Sequence, residues 1–98
     1  MRIVMLAALV GCIGPMPRPT EADVLRAASR RPQTTLVELE RGRSLYVERC
    51  SGCHRPYEPD TFAAGSWPGR VGDMAKRANL GTESRKLIVL YLVTLAAR

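Results

Sequence analysis

Apolar side chains recur at helical spacing in three stretches of the chain, each preceded by a polar or small residue. Before the first stretch, Thr35 and Glu38 form a capping box, which predicts a helix over residues 36–50. Gly42 stands in the middle of this helix, where glycine costs about 1 kcal/mol relative to alanine. The close approach of another backbone best explains a glycine at that position.

Two further helices are predicted in the second half of the chain. Ser66 precedes the second stretch and is expected to cap it. Four side chains of this stretch share one face: Trp67, Val71, Met74 and Ala78. Gly81 is expected to stop this helix, and Thr82 to cap a closing helix over residues 82–97. The pattern as a whole predicts a small all-α domain of three to four helices over residues 34–98.

Residues 1–11 read as an export signal, with Arg2 before an apolar run. The sequence Leu9-Val10-Gly11-Cys12 that ends it resembles the lipobox of bacterial lipoprotein signals. The resemblance implies that Cys12 carries a lipid and begins the mature chain. We therefore expect an exported, periplasmic protein held to a membrane surface by lipid at Cys12. The alternative is an ordinary cleaved signal.

Residues 12–33 carry the prolines of an extended spacer, at Pro15, Pro17, Pro19 and Pro32. Thr20 and Asp23 could start a short helix inside it. We expect this segment to be a tether that lets the domain move above the membrane, the alternative being a leader without a role.

Charge argues against a nucleic-acid partner, and hydropathy argues against a membrane-spanning helix. The net charge is +6, but the cations are spread over both halves of the chain, so we expect no nucleic-acid partner. No stretch reaches the roughly eighteen apolar residues that a membrane-spanning helix needs.

Cys50-Ser51-Gly52-Cys53-His54 is a C-x-x-C-H motif, the pattern of c-type haem attachment. Each thiol can add to one haem vinyl group, and His54 can then ligate the iron. A thioredoxin-like redox pair is the first alternative, but it requires a βαβ pattern that is not visible. A structural zinc site is the second, but it requires four ligands, and Cys12 is the only other cysteine.

Gly42, Tyr46 and Cys50 follow one another at intervals of four residues, just before Cys53-His54. Together with the apolar run Leu87-Ile88 and Tyr91-Leu92, they resemble the first and last helices of class I c-type cytochromes. The resemblance covers residues 36–98. It implies a cytochrome c-like fold with one covalently bound haem c, whose first and last helices cross at the glycine. It also implies an electron carrier, and no nucleophile–base pair near the motif indicates an enzyme.

Met74 is the expected distal iron ligand, by elimination. Met1 and Met5 lie in the signal, Met16 lies in the tether, and His54 is the only histidine. His/Met ligation favours a high potential and an iron closed to added ligands. Four further side chains have polar atoms that could bond haem propionates or line the pocket: Arg55, Tyr57, Trp67 and Arg70.

The expected partners are periplasmic or membrane-bound oxidoreductases, which redox proteins usually meet through small, weak interfaces. Two alternatives remain open from the sequence. One is a haem-bearing relay subunit of a larger oxidoreductase. The other is a gas-binding or sensing haem protein with an open sixth site.

Overall fold

The computed structural model describes residues 16–50 and 56–98, and within these two ranges every regular element is helical. The elements are α1 (Glu21–Ala28), α2 (Leu36–Arg49), the 3-10 turns Pro59–Thr61 and Ala64–Ser66, α3 (Trp67–Ala78) and α4 (Thr82–Ala96). The predicted all-α class is therefore confirmed. Among the described helices, none is long and apolar enough to cross a bilayer.

The start of α2 follows the predicted capping box. The Glu38 N–H donates to the Thr35 hydroxyl oxygen at 3.2 Å, and the Thr35 N–H donates to the Glu38 carboxylate at 3.1 Å. Each residue thus satisfies a backbone donor that the first helical turn leaves open. The helix ends at Arg49, within one residue of the prediction.

The boundary between α3 and α4 differs from the prediction. Helix α3 ends at Ala78, and Asn79 rather than Gly81 terminates it, in the left-handed conformation with φ 55° and ψ 48°. Asparagine tolerates this conformation better than most residues. Gly81 instead stands at the cap position of α4, and Thr82 is its first residue. The Ser66 hydroxyl precedes α3 but donates backwards to the Ala63 carbonyl at 2.8 Å, so it caps no helical N–H.

Helices α2 and α4 cross in backbone contact at Gly42. A Cβ atom added there would lie 2.2 Å from the Leu87 carbonyl oxygen and 2.9 Å from the Tyr91 Cβ. Only glycine fits such a contact, because both obstacles belong to or adjoin the backbone of α4. The prediction that another backbone approaches Gly42 is confirmed.

The core lies between α2, α3 and α4. Its buried members are Met16, Leu45, Tyr46, Trp67, Val71, Ile88, Tyr91, Leu92 and Leu95. Thr94 is also fully buried, and its hydroxyl has no hydrogen-bond partner among the described residues. Helix α4 thus contributes apolar side chains on several sides, as its long apolar run predicts.

Residues 16–28 pack on the helices, whereas we expected a spacer there. The Met16 side chain is 8% exposed and belongs to the core. In α1, Asp23 is 1% exposed, and its carboxylate accepts from the Thr20 N–H at 2.8 Å, which confirms that predicted cap. The same carboxylate pairs with Arg98 at 2.9 Å and with Arg26. The spacer expectation fails over these residues because long-range partners hold them, and such partners leave no local sequence signal.

Candidate functional site

Cys50 caps the C-terminus of α2, where its N–H donates to the Tyr46 carbonyl at 3.0 Å. Its side chain is half-buried against the core, and its thiol is in no disulfide within the described part of the chain. Burial raises the pKa of the Cys50 thiol, while the charge of Arg49 acts in the opposite direction. The thiol is therefore held neutral, unlike the activated thiolates of redox-active cysteine pairs.

The other members of the motif, Cys53 and His54, lie outside the described residues, as do Arg55 and the predicted lipidation site Cys12. Of the predicted haem-attachment residues, the structure therefore places Cys50 alone. It stands at the end of a rigid helix whose middle is locked against α4 at Gly42.

Arg49, which the sequence reading missed, joins the end of α2 to the end of α3. Its guanidinium donates to the carbonyls of Ala78 and Asn79, at 3.1 and 3.2 Å. These carbonyls lie where a helix terminus leaves acceptors without partners, so the contact satisfies both of them. Since Arg49 directly precedes Cys50, this contact links the end of α2 to the end of the helix that carries Met74, with Met74 one turn before Ala78.

Met74 lies beside the buried line of α3. That line consists of Trp67, Val71 and Ala75, at intervals of four residues. Met74 is half-buried, as is Ala78. The predicted stripe is therefore correct for Trp67 and Val71, whereas the next position in the core is Ala75. Met74 thus lies at the edge of the core, whereas Met16, which the elimination had placed in the tether, lies inside it, so Met74 is not the only methionine of the domain.

Two buried side chains bind the loop that follows the motif, at residues 57 and 59. The Tyr46 hydroxyl donates to the Tyr57 carbonyl at 2.6 Å, and the Trp67 indole N–H donates to the Pro59 carbonyl at 2.8 Å. Burial raises the pKa of Tyr46, so its hydroxyl keeps its proton and stays a donor. The loop is thus fixed at two points within three residues.

Three aromatic rings pack against one another at this loop. Phe62 lies between Tyr57 and Trp67, with ring centroids 5.2 and 5.4 Å apart and both pairs edge to face. The guanidinium of Arg70 stacks on Phe62 at 3.5 Å, and its Nε donates to Ser66. Tyr57, Trp67 and Arg70 are among the residues predicted from the sequence, whereas Phe62 is not, because an isolated phenylalanine in a loop carries no pattern.

These contacts already use polar atoms by which Trp67 and Arg70 were expected to bond haem propionates. The indole N–H of Trp67 is engaged by Pro59 in the core, and Arg70 is engaged by Phe62 and Ser66. Tyr57 is half-exposed at the edge of the cluster. In the described ranges, no three histidine, cysteine or acidic side chains gather as a metal-binding group would.

Comparisons with protein-family models, with curated proteins and with solved structures found no match. The function is therefore inferred from the residues of this chain.

Proposed function

We propose that the protein is a monohaem c-type cytochrome that carries single electrons. The observation that carries the proposal is the C-x-x-C-H motif of residues 50–54, which begins at the last turn of α2. Cys50 and Cys53 would hold haem there with His54 as proximal ligand, and the haem would supply a one-electron iron couple. The proposed class of function is electron transfer without bond-making catalysis.

The residues that the structure describes fit this group. Attachment to a vinyl group requires a reduced cysteine that can reach an apolar plane, and Cys50 is a neutral thiol at the edge of the core. A thioredoxin-like pair is a poorer fit, since its nucleophilic thiol needs a lowered pKa. A zinc site is also a poorer fit, because a closed structural site needs four ligands and no such group gathers in residues 16–50 and 56–98.

Three aromatic side chains at the loop that follows the motif would support such a site. Tyr46 and Trp67 fix the loop that follows the motif, and the ring of Phe62 adds an apolar wall. A wall of this kind excludes water, which raises the potential of a bound iron centre by lowering the local dielectric.

Met74 is the proposed distal ligand. Its support is its half-buried position outside the line of core residues and the Arg49 contact that ties its helix to Cys50. A methionine ligand would favour electron transfer over gas binding.

The proposed setting is the periplasm, with the chain held to the membrane by lipid at Cys12. The proposed partners are periplasmic or membrane-bound oxidoreductases, met through small and weak interfaces.

The test of the haem assignment is the pyridine haemochrome spectrum of the purified full-length protein. We expect a c-type spectrum from the wild type, an altered spectrum from Cys53→Ala, and no covalent haem after substitution of both Cys50 and Cys53. Cys12→Ser is the matched control, since it removes the third cysteine and should keep the spectrum unchanged. Covalent haem in the double variant would refute the assignment.

The test of the distal ligand is carbon monoxide binding to the reduced protein. We expect slow or no binding by the wild type and ready binding by Met74→Ala. Met16→Leu is the control, because it removes another methionine and keeps an apolar side chain in the core. Ready binding by the wild type would instead favour the gas-binding alternative.

A further inference from the structure

Three successive carbonyls near the start of the described chain are each held by a side chain of the helical body. We call residues 16–20 the N-terminal strap. The Met16 carbonyl accepts from Arg43 Nε and Nη2 at 3.1 and 3.0 Å. The Pro17 carbonyl accepts from the Tyr91 hydroxyl at 2.6 Å, and the Arg18 carbonyl accepts from Arg98 at 2.9 Å.

The strap is also held by its buried side chains and by the helix that follows it. The Met16 side chain is in the core, and Pro19 is buried. Helix α1 follows at once and is held through the ion pair of its buried Asp23 with Arg98. The folded body therefore includes Met16, eighteen residues before the predicted start of the domain at residue 34.

This position shortens the connection between Cys12 and the body. Only residues 13–15 lie between Cys12 and Met16. Four Cα steps span at most about 14 Å, whereas the expected spacer of residues 12–33 could have reached about 70 Å. The 14 residues of α2 alone are about 21 Å long, so the available reach is shorter than one helix of the domain.

We propose that the domain rests directly on the lipid surface with its N-terminal strap facing the membrane. The inference rests on the proposed lipidation of Cys12. The partner of this surface is the bilayer itself, and the anchor's short reach sets the orientation.

Charge does not set the orientation. The strap region carries the cations Arg18, Arg43 and Arg98. Against them, Glu58 and Asp60 share a groove with Pro17 and Arg98. Arg98 is further paired with Asp23. The local balance of charge is close to zero, so seating should not depend on anionic lipid.

The orientation has a consequence for the electron partner. Arg43, which binds the strap, lies seven residues before Cys50 on α2, about 10 Å along the helix axis. A group attached at Cys50 is therefore kept close to the lipid surface. This proximity favours a membrane-embedded oxidoreductase over a partner that must be reached far from the membrane.

The experiment places a fluorescent label at each of two exposed positions of the full-length lipidated protein in phosphatidylcholine vesicles with headgroup quenchers. Arg18→Cys lies in the strap, and Glu83→Cys lies near the opposite end of α4 from Arg98, about 22 Å along its axis. We expect severalfold stronger quenching at position 18 than at position 83. A flexible twenty-residue glycine–serine insert between Pro15 and Met16 is the matched control and should bring the two positions close to equality.

Three outcomes overturn the proposal in separable ways. Weak and equal quenching without the insert, with Cys12 lipidated by mass spectrometry, shows that the domain is held away from lipid. Quenching at position 18 that appears only after phosphatidylglycerol is added shows that charge seats the domain. An unmodified Cys12 removes the anchor, while the haemochrome spectrum judges the haem assignment independently.

Discussion

Gly42→Ala tests the closest contact of the fold, the crossing of α2 and α4. The new Cβ would stand 2.2 Å from the Leu87 carbonyl oxygen, and ordinary contact begins near 3.4 Å. The two helices would have to part by about 1 Å. The obstacle is backbone, so no side-chain rotation can relieve it.

The expected magnitude follows from two opposing effects. Overpacking of a close-packed site costs about 1–3 kcal/mol, and a backbone obstacle belongs at the upper end of that range. The better helix propensity of alanine offsets about 1 kcal/mol. We expect the free energy of unfolding to fall by about 2 kcal/mol, which for a domain of this size lowers Tm by about 8–16 °C.

The assay is urea and thermal unfolding of the full-length protein, followed by circular dichroism. Gly69→Ala is the matched control, since Gly69 lies in α3 and no described atom stands within 4 Å of a Cβ added there. This control should leave stability unchanged or slightly raise it. If Gly42→Ala proves as stable as Gly69→Ala, the close crossing of α2 and α4 is refuted.

Three further substitutions have expected outcomes. Burial raises the pKa of Asp23, but hydrogen bonds, above all from Arg98, lower it on balance from 3.8 to about 2. The carboxylate therefore contributes about 2 kcal/mol above pH 4, and this is lost as the pH falls towards 2. The stability deficit of Asp23→Asn in urea should accordingly shrink over the same range, and a deficit independent of pH would contradict the ion pair. Thr94→Val should raise the free energy of unfolding by about 1 kcal/mol and so increase the urea midpoint, because it removes a buried hydroxyl without a described partner. A lower stability would instead show that the hydroxyl has a hydrogen-bond partner. Tyr46→Phe should lower stability by about 1 kcal/mol and speed proteolysis near Tyr57, whose carbonyl loses its donor; unchanged proteolysis would show that this bond does not hold the loop.

Local sequence signals predicted the helices and their closest contact. The capping box of Thr35 and Glu38 needs residues only three apart, and it fixed the start of α2. Gly42 was informative because a glycine inside a helix is unfavourable unless something requires it. The end of α3 was misplaced because asparagine and glycine both accept the left-handed conformation, and Asn79 stood earlier in the chain than Gly81.

The hydrogen bonds of the strap and those of Arg49 could not be predicted from the sequence. Both rest on backbone carbonyls as acceptors, and every residue has one, so no residue type marks the site. The partners are also distant in the chain: Arg49 reaches Ala78, and Arg98 reaches Arg18. The prolines of the strap suggested a spacer, yet a proline carbonyl accepts a hydrogen bond as well as any other.

The strap imposes an order on folding. Its three carbonyls can be bound only after the side chains at positions 43, 91 and 98 are in place. The bond between Arg18 and Arg98 joins residues 80 positions apart in the chain. A chain that emerges N-terminus first therefore exposes the motif at residues 50–54 before α1 and the strap can dock. The proposed haem attachment at Cys50 would therefore have its opportunity before the strap docks on the helices.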